Sequence, residues 1–190
     1  MTQTDKITLP TKRDVKGRRK RRGAGLFDSM LTMFIVVLAL GGLIALYLNI
    51  SAGMKNNNTR MLVMKTVATI ENAYRSQSAY TNGSLLPVLE TSGNFTDKEV
   101  WESGGTFYMR SPFDTEMTVA GNGARDFTIT VADISKDACT ALLEGMIERD
   151  RELDAVSVNT VAVTVPYDSV AVSTACRGNA DDEYDVALTF

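Results

Sequence analysis

Three residues in this chain ask for a chemical explanation. Cys139 and Cys176 are its two thiols, and Asp28 is a lone carboxylate at the mouth of a long apolar run. The chain has no histidine, which excludes Ser-His and Cys-His nucleophilic sets. Two cysteines without histidine do not make a zinc site. No glycine-rich phosphate loop precedes a helical pattern. Residues 181–185, DDEYD, put four acids in five positions. Hard oxygens suit calcium, but the spacing departs from an EF-hand loop and a solvated acidic turn is the commoner outcome. No catalytic residue, metal ligand or cofactor is expected, and the chain does not read as an enzyme.

The elements that must position these residues begin with charge. Residues 1–23 hold nine Lys/Arg and two acids, a balance of +7; the whole chain carries −3, so residues 24–190 carry −10. A basic tag thus precedes an acidic body. It has no aromatic residue to stack on bases, so a nucleic-acid partner is not expected. Residues 30–48, MLTMFIVVLALGGLIALYL, are nineteen positions without a charge. At helical rise they cover about 28 Å, close to the thickness of a bilayer core. A cleaved secretory signal would have a shorter apolar region and a small-x-small site after it. Basic residues on the near side place residues beyond about 50 outside the cytoplasm.

That topology bears on the cysteines. Both lie on the exported side, where an even pair reads as a disulfide; two unpaired buried thiols are the alternative. The bond would enclose 36 residues, worth about 4 kcal/mol in the chain-entropy account.

Helical spacing continues past the apolar run. Val63, Val67, Ile70 and Tyr74 form one stripe, with Arg60, Lys65, Asn72 and Arg75 opposite. No proline occurs between Ala24 and Leu86, so one helix is expected over about 25–78, weakened by Gly41-Gly42, Gly53 and Asn56-Asn57-Asn58. Residues 81–84, TNGS, signal a turn. Thr96 and Glu99 have capping-box spacing before an expected short helix around Trp101. Residues 116–119 and 127–131 flank Gly121-Asn122-Gly123 as a hairpin. Ser135 or Asp137 would cap a helix over 138–149. Val156, Val158, Val161, Val163 and Val165 alternate with a break in register. Tyr184, Val186, Leu188 and Phe190 alternate without one and predict a strand paired within a sheet. The fold class is α+β: a long N-terminal helix, half membrane-spanning and half amphipathic, packed on an antiparallel sheet.

A basic leader, Gly23, an acid five residues on and an uninterrupted apolar helix resemble the signal of type IV prepilins. The long leader suggests the type IVb subclass, the toxin-coregulated and conjugative thin-pilus type. Ala73-Tyr74-Arg75 with Tyr80, Ser111-Pro112-Phe113, residues 126–131, Cys139 opening a helix and Cys176-Arg177-Gly178 before the last strand follow the order of those pilins. The resemblance implies a leader over 1–23, cut by prepilin peptidase between Gly23 and Ala24. It implies an apolar transmembrane and filament-core helix over 24–52 and an amphipathic continuation over 53–79. A globular α+β pilin domain over 80–190 would follow, with its disulfide-bounded region at 139–176. The family usually has glutamate where Asp28 stands and a large apolar residue where Ala24 stands.

The resemblance also gives Asp28 a role. A carboxylate in hydrocarbon costs about 2.5–3.5 kcal/mol at the bilayer centre and less at its edge. Cleavage after Gly23 creates an α-amino group on Ala24, four residues away, and in pilins that amine meets the acid of a neighbouring subunit. The alternative is an Asp28 that rests among lipid headgroups. The implied protein is a major type IVb pilin, polymerising with itself for adhesion, aggregation or mating contact. Its partners would be the peptidase, the inner-membrane pilus assembly machinery and membrane lipid. It would sit in the inner membrane with its globular domain in the periplasm, then in an extracellular filament. A minor pilin, a type II secretion pseudopilin and an anchored periplasmic binding domain that never polymerises remain open.

Overall fold

The computed structural model describes residues 24–147, 153–163, 168–177, 179 and 181–190, with side chains from Ser29 onward. The basic leader, Val165 and the helix end expected at Arg149 lie outside those residues. Helix α1 spans Ala24–Tyr74, passing through its glycines and the asparagine run without interruption. No proline removes a donor from its ladder, and isolated poor helix formers only lower its stability. The compact units of the chain divide after Leu46.

In the second unit, α1 buries the expected stripe of Val63, Val67, Ile70 and Tyr74, widened by Leu62, Thr59 and Thr66. The two threonines are admitted because each hydroxyl donates to a carbonyl one turn back, Thr59 to Lys55 and Thr66 to Leu62, leaving only the methyl to pack. Two residues assigned to the solvent face are engaged instead. The Lys65 ammonium lies 3.0 Å from Glu99 and over the Phe95 ring. Arg60 reaches a second helix, described below.

After α1 come β1 (Gly83–Ser84), α2 (Leu86–Thr91), β2 (Val100–Ser103), β3 (Thr106–Arg110), β4 (Glu116–Gly121) and β5 (Phe127–Ser135). Then follow α3 (Lys136–Ile147), β6 (Ala155–Val158), β7 (Val161–Ala162), α4 (Ser169–Ala175) and β8 (Glu183–Thr189). The strands form one antiparallel sheet in the order β2-β3-β4-β5-β8-β6-β7, with β1 paired to β4. The last strand is inserted between β5 and β6, as its alternation requires: Tyr184, Val186, Leu188 and Phe190 are all buried. Phe190 exchanges backbone hydrogen bonds with Phe127, 3.0 Å each way, and stacks on its ring. Tyr80 packs edge-on against Phe127 and tilted against Tyr74, so four aromatic rings join the end of α1 to the end of the chain.

The hairpin about Gly121-Asn122-Gly123 is β4–β5, in register from Met117↔Val131 to Gly121↔Phe127. Gly121 is required there: a Cβ would strike the Thr81 carbonyl oxygen. One expectation is corrected. Trp101 is in a strand, not a helix. Glu99 does accept from the Thr96 amide and hydroxyl, but the single turn it closes gives way to β2, where Trp101 stacks on its cross-strand partner Tyr108. The valine register break is a two-residue turn between β6 and β7. Asn159 and Thr160 both have positive φ, 48° and 68°, and the Asn159 side chain accepts from the Asp185 amide at 2.7 Å. This is the mirror-image turn that suits hairpin twist.

Thr160 is exposed and β-branched, a poor occupant of the left-handed region. Thr160→Gly should therefore raise unfolding stability by about 0.5–1 kcal/mol, the relieved strain exceeding the added chain entropy. Urea titration of the two proteins checks this; an unchanged or lower midpoint would contradict the turn.

Candidate assembly surface

From Met30 to Ile50 every large apolar side chain of α1 is exposed; Phe34 and Leu43 are each 62 % exposed. The helix is long and apolar enough to cross a membrane, and none of its most apolar window is buried. A core helix of a soluble protein would be covered by its own chain. Here the cover must come from lipid or from other helices. Asp28 lies on this helix, four residues after Ala24, with which α1 begins. The side chains of both, and Gly23, lie outside the described residues.

Cys139 and Cys176 are bonded to each other, with Cα atoms 5.9 Å apart, and both are fully buried. Cys139 is in the first turns of α3 and Cys176 caps α4. Ser135, one of the two expected caps, accepts from the Ala138 amide at 3.4 Å. On α4, Asp168 accepts from the Ala171 amide at 2.6 Å. The bond thus joins two capped helices over the Leu142 and Val172 side of the core. In the acidic turn, Asp185 accepts from the Asp133 amide at 3.0 Å, while Asp181, Asp182 and Glu183 are exposed.

Residues that sequence reasoning set on the solvent face also bind α3 and the chain after α2. Arg60 donates from Nη2 to the Ala141 carbonyl, and its guanidinium occupies the space a side chain at Gly145 would fill. Gly145 leaves the α3 backbone open for a cation on α1. A lone glycine in a helical pattern was the only available signal. Glu99 is held below the usual carboxylate range. Partial burial opposes its ionisation, but hydrogen bonds from the Thr96 amide, the Lys65 ammonium and the Thr96 hydroxyl outweigh it. Because the folded value is lowered, that contribution is present above the ordinary glutamate range and is lost as pH falls through the lowered value.

The guanidinium is the far end of a flexible side chain, so alanine at 145 should turn it out without moving the helices. Arg60→Ala should then cost about 1 kcal/mol less in a Gly145→Ala background than in the wild type. Equal costs in the two backgrounds, measured by denaturant unfolding, would show the residues to be uncoupled.

No protein-family model matches the chain, and no curated protein sequence does. Solved structures do. The type IVb pilin of Salmonella typhi superimposes with a TM-score of 0.52 at 17 % identity, over 73 % of this chain and 97 % of that one. TcpA, a type IV pilin from the Vibrio cholerae El Tor biotype, does so with a TM-score of 0.53 at 14 % identity, over 72 % of this chain and 99 % of that one. A long N-terminal helix on an antiparallel sheet with β8 inserted near its middle is, in this chain, the type IV pilin fold.

Proposed function

We propose that the chain is the major structural subunit of a type IVb pilus. The observation that carries this reading is the uncovered apolar half of α1 on a domain with the pilin fold. A helix apolar all round must stay out of water. It rests in lipid while the subunit waits in the inner membrane, its globular domain in the periplasm. It then enters a bundle of like helices as the filament leaves the membrane. A heterologous contact that does not close generates such a filament. The acidic sheet domains form its outer wall, and the disulfide-bounded region faces other filaments and cells for adhesion, aggregation or mating contact. The chain is a polymer subunit rather than an enzyme.

Prepilin peptidase cuts between Gly23 and Ala24, and the inner-membrane assembly machinery takes up the product. The freed Ala24 amine of one subunit then meets Asp28 of its neighbour. In a low-dielectric bundle this pair offsets the desolvation of both charges, and a subunit out of register leaves a carboxylate unpaired. Asp28→Ala should leave export and cleavage intact while cutting the yield of sheared filaments about tenfold, the equivalent of 1.4 kcal/mol per contact. Normal filament yield from that variant would sink the pairing.

A further inference from the structure

The body of the chain, residues 24–190, holds 21 acids and 11 cations. Copies packed side by side repel unless cations on one meet acids on the next. The cations are not evenly spread. Lys65, Lys98 and Arg110 come from three separate segments and line one groove of about 350 Å³, in which Glu99 is the one acid among the lining residues. Lys65 is held by Glu99, and Arg110 by Asp114 at 3.1 Å and by the Trp101 ring. Those two heads are therefore positioned in advance. Lys98 is exposed and has no ion pair among the described residues. Met61, 56 % exposed, adds an apolar wall. The groove carries positive charge on a body of the opposite sign.

The complementary surface lies at the other end of the sequence. Residues 153–190 hold six acids and one cation, Arg177. Asp181, Asp182 and Glu183 are exposed, and their carboxylates make no hydrogen bond or ion pair among the described residues. Asp185 differs, being engaged with the Asp133 amide.

We infer that the groove of Lys65, Lys98 and Arg110 on one copy receives the 181–183 turn of a second copy. The inference rests on the filament reading and adds the surfaces by which the outer domains meet. The groove lies at the end of β3, and the 181–183 turn leads into β8, from which β4 and β5 separate it; no ion pair joins the two among the described residues, so the inferred contact is between copies.

Charge reversal tests it. Lys98→Glu, Asp181→Lys and the double variant are expressed as full chains, and filaments are sheared and quantified. Retained melting temperature and an intact Cys139–Cys176 bond exclude misfolding; both positions are exposed. Each single reversal should lower filament yield at least about fivefold, since it sets like charges against each other where opposite charges met. The double variant, which restores the pair with inverted sign, should return to within about twofold of wild type. Single variants that assemble normally would overturn the inference, as would singles that fail and a double that does not recover. In both of those cases wild-type filaments still form and the filament reading stands. A wild type that forms no filament would remove both.

Discussion

Everything in this chain is arranged around nineteen consecutive uncharged residues that their own protein does not cover. Burying one large apolar side chain is worth about 1.5–3 kcal/mol. Leaving more than a dozen in water would cost tens of kcal/mol, well beyond the 5–15 kcal/mol that holds a whole domain together. No rearrangement of the remaining chain could repay that. The helix must have an external cover at every stage. The change from one cover to another, from lipid to a bundle of identical helices, is the physical core of the proposed function.

The globular part can be seen as the means of carrying that helix. Its amphipathic continuation contributes Val63, Val67 and Ile70 to the core. The attachment is reinforced at several points. Lys65 binds Glu99, Arg60 reaches the Ala141 carbonyl through the gap at Gly145, and the Tyr74 hydroxyl meets Thr81 at 2.8 Å. The four aromatic rings from Tyr74 to Phe190 then tie the end of the helix to the last strand. The disulfide joins α3 to α4, the two helices of the 139–176 region, between which β6 and β7 pair onto the sheet.

Elements with a single strong period were legible in the sequence. The apolar helix, the Val63 stripe, the β4–β5 hairpin and the alternating last strand are each set by one pattern, and the structure has all four. Where two local signals competed, the tertiary partner decided. The capping pair Thr96 and Glu99 formed its hydrogen bonds, yet pairing of Trp101 with Tyr108 made the next residues a strand. Thr59 and Thr66 join the buried face outside the apolar stripe, because their bonds to preceding carbonyls are invisible in a hydropathy pattern. Arg60 and Lys65 looked like solvent-facing charges because their partners, Ala141 and Glu99, are distant in sequence. Of the site residues, the cysteine pair was readable from count and compartment. Gly23, Ala24 and Asp28 rest on the resemblance of the leader to a prepilin signal alone.

The central claim is that the basic leader is removed and the helix it guarded moves from membrane to filament. The most direct measurement is the intact mass of the protein in sheared surface material, before and after reduction. The account predicts a mass lacking residues 1–23, found in the sheared fraction, that gains two hydrogens on reduction as Cys139 and Cys176 part. A full-length mass confined to the membrane would contradict it and leave a permanently anchored domain in place of a filament subunit.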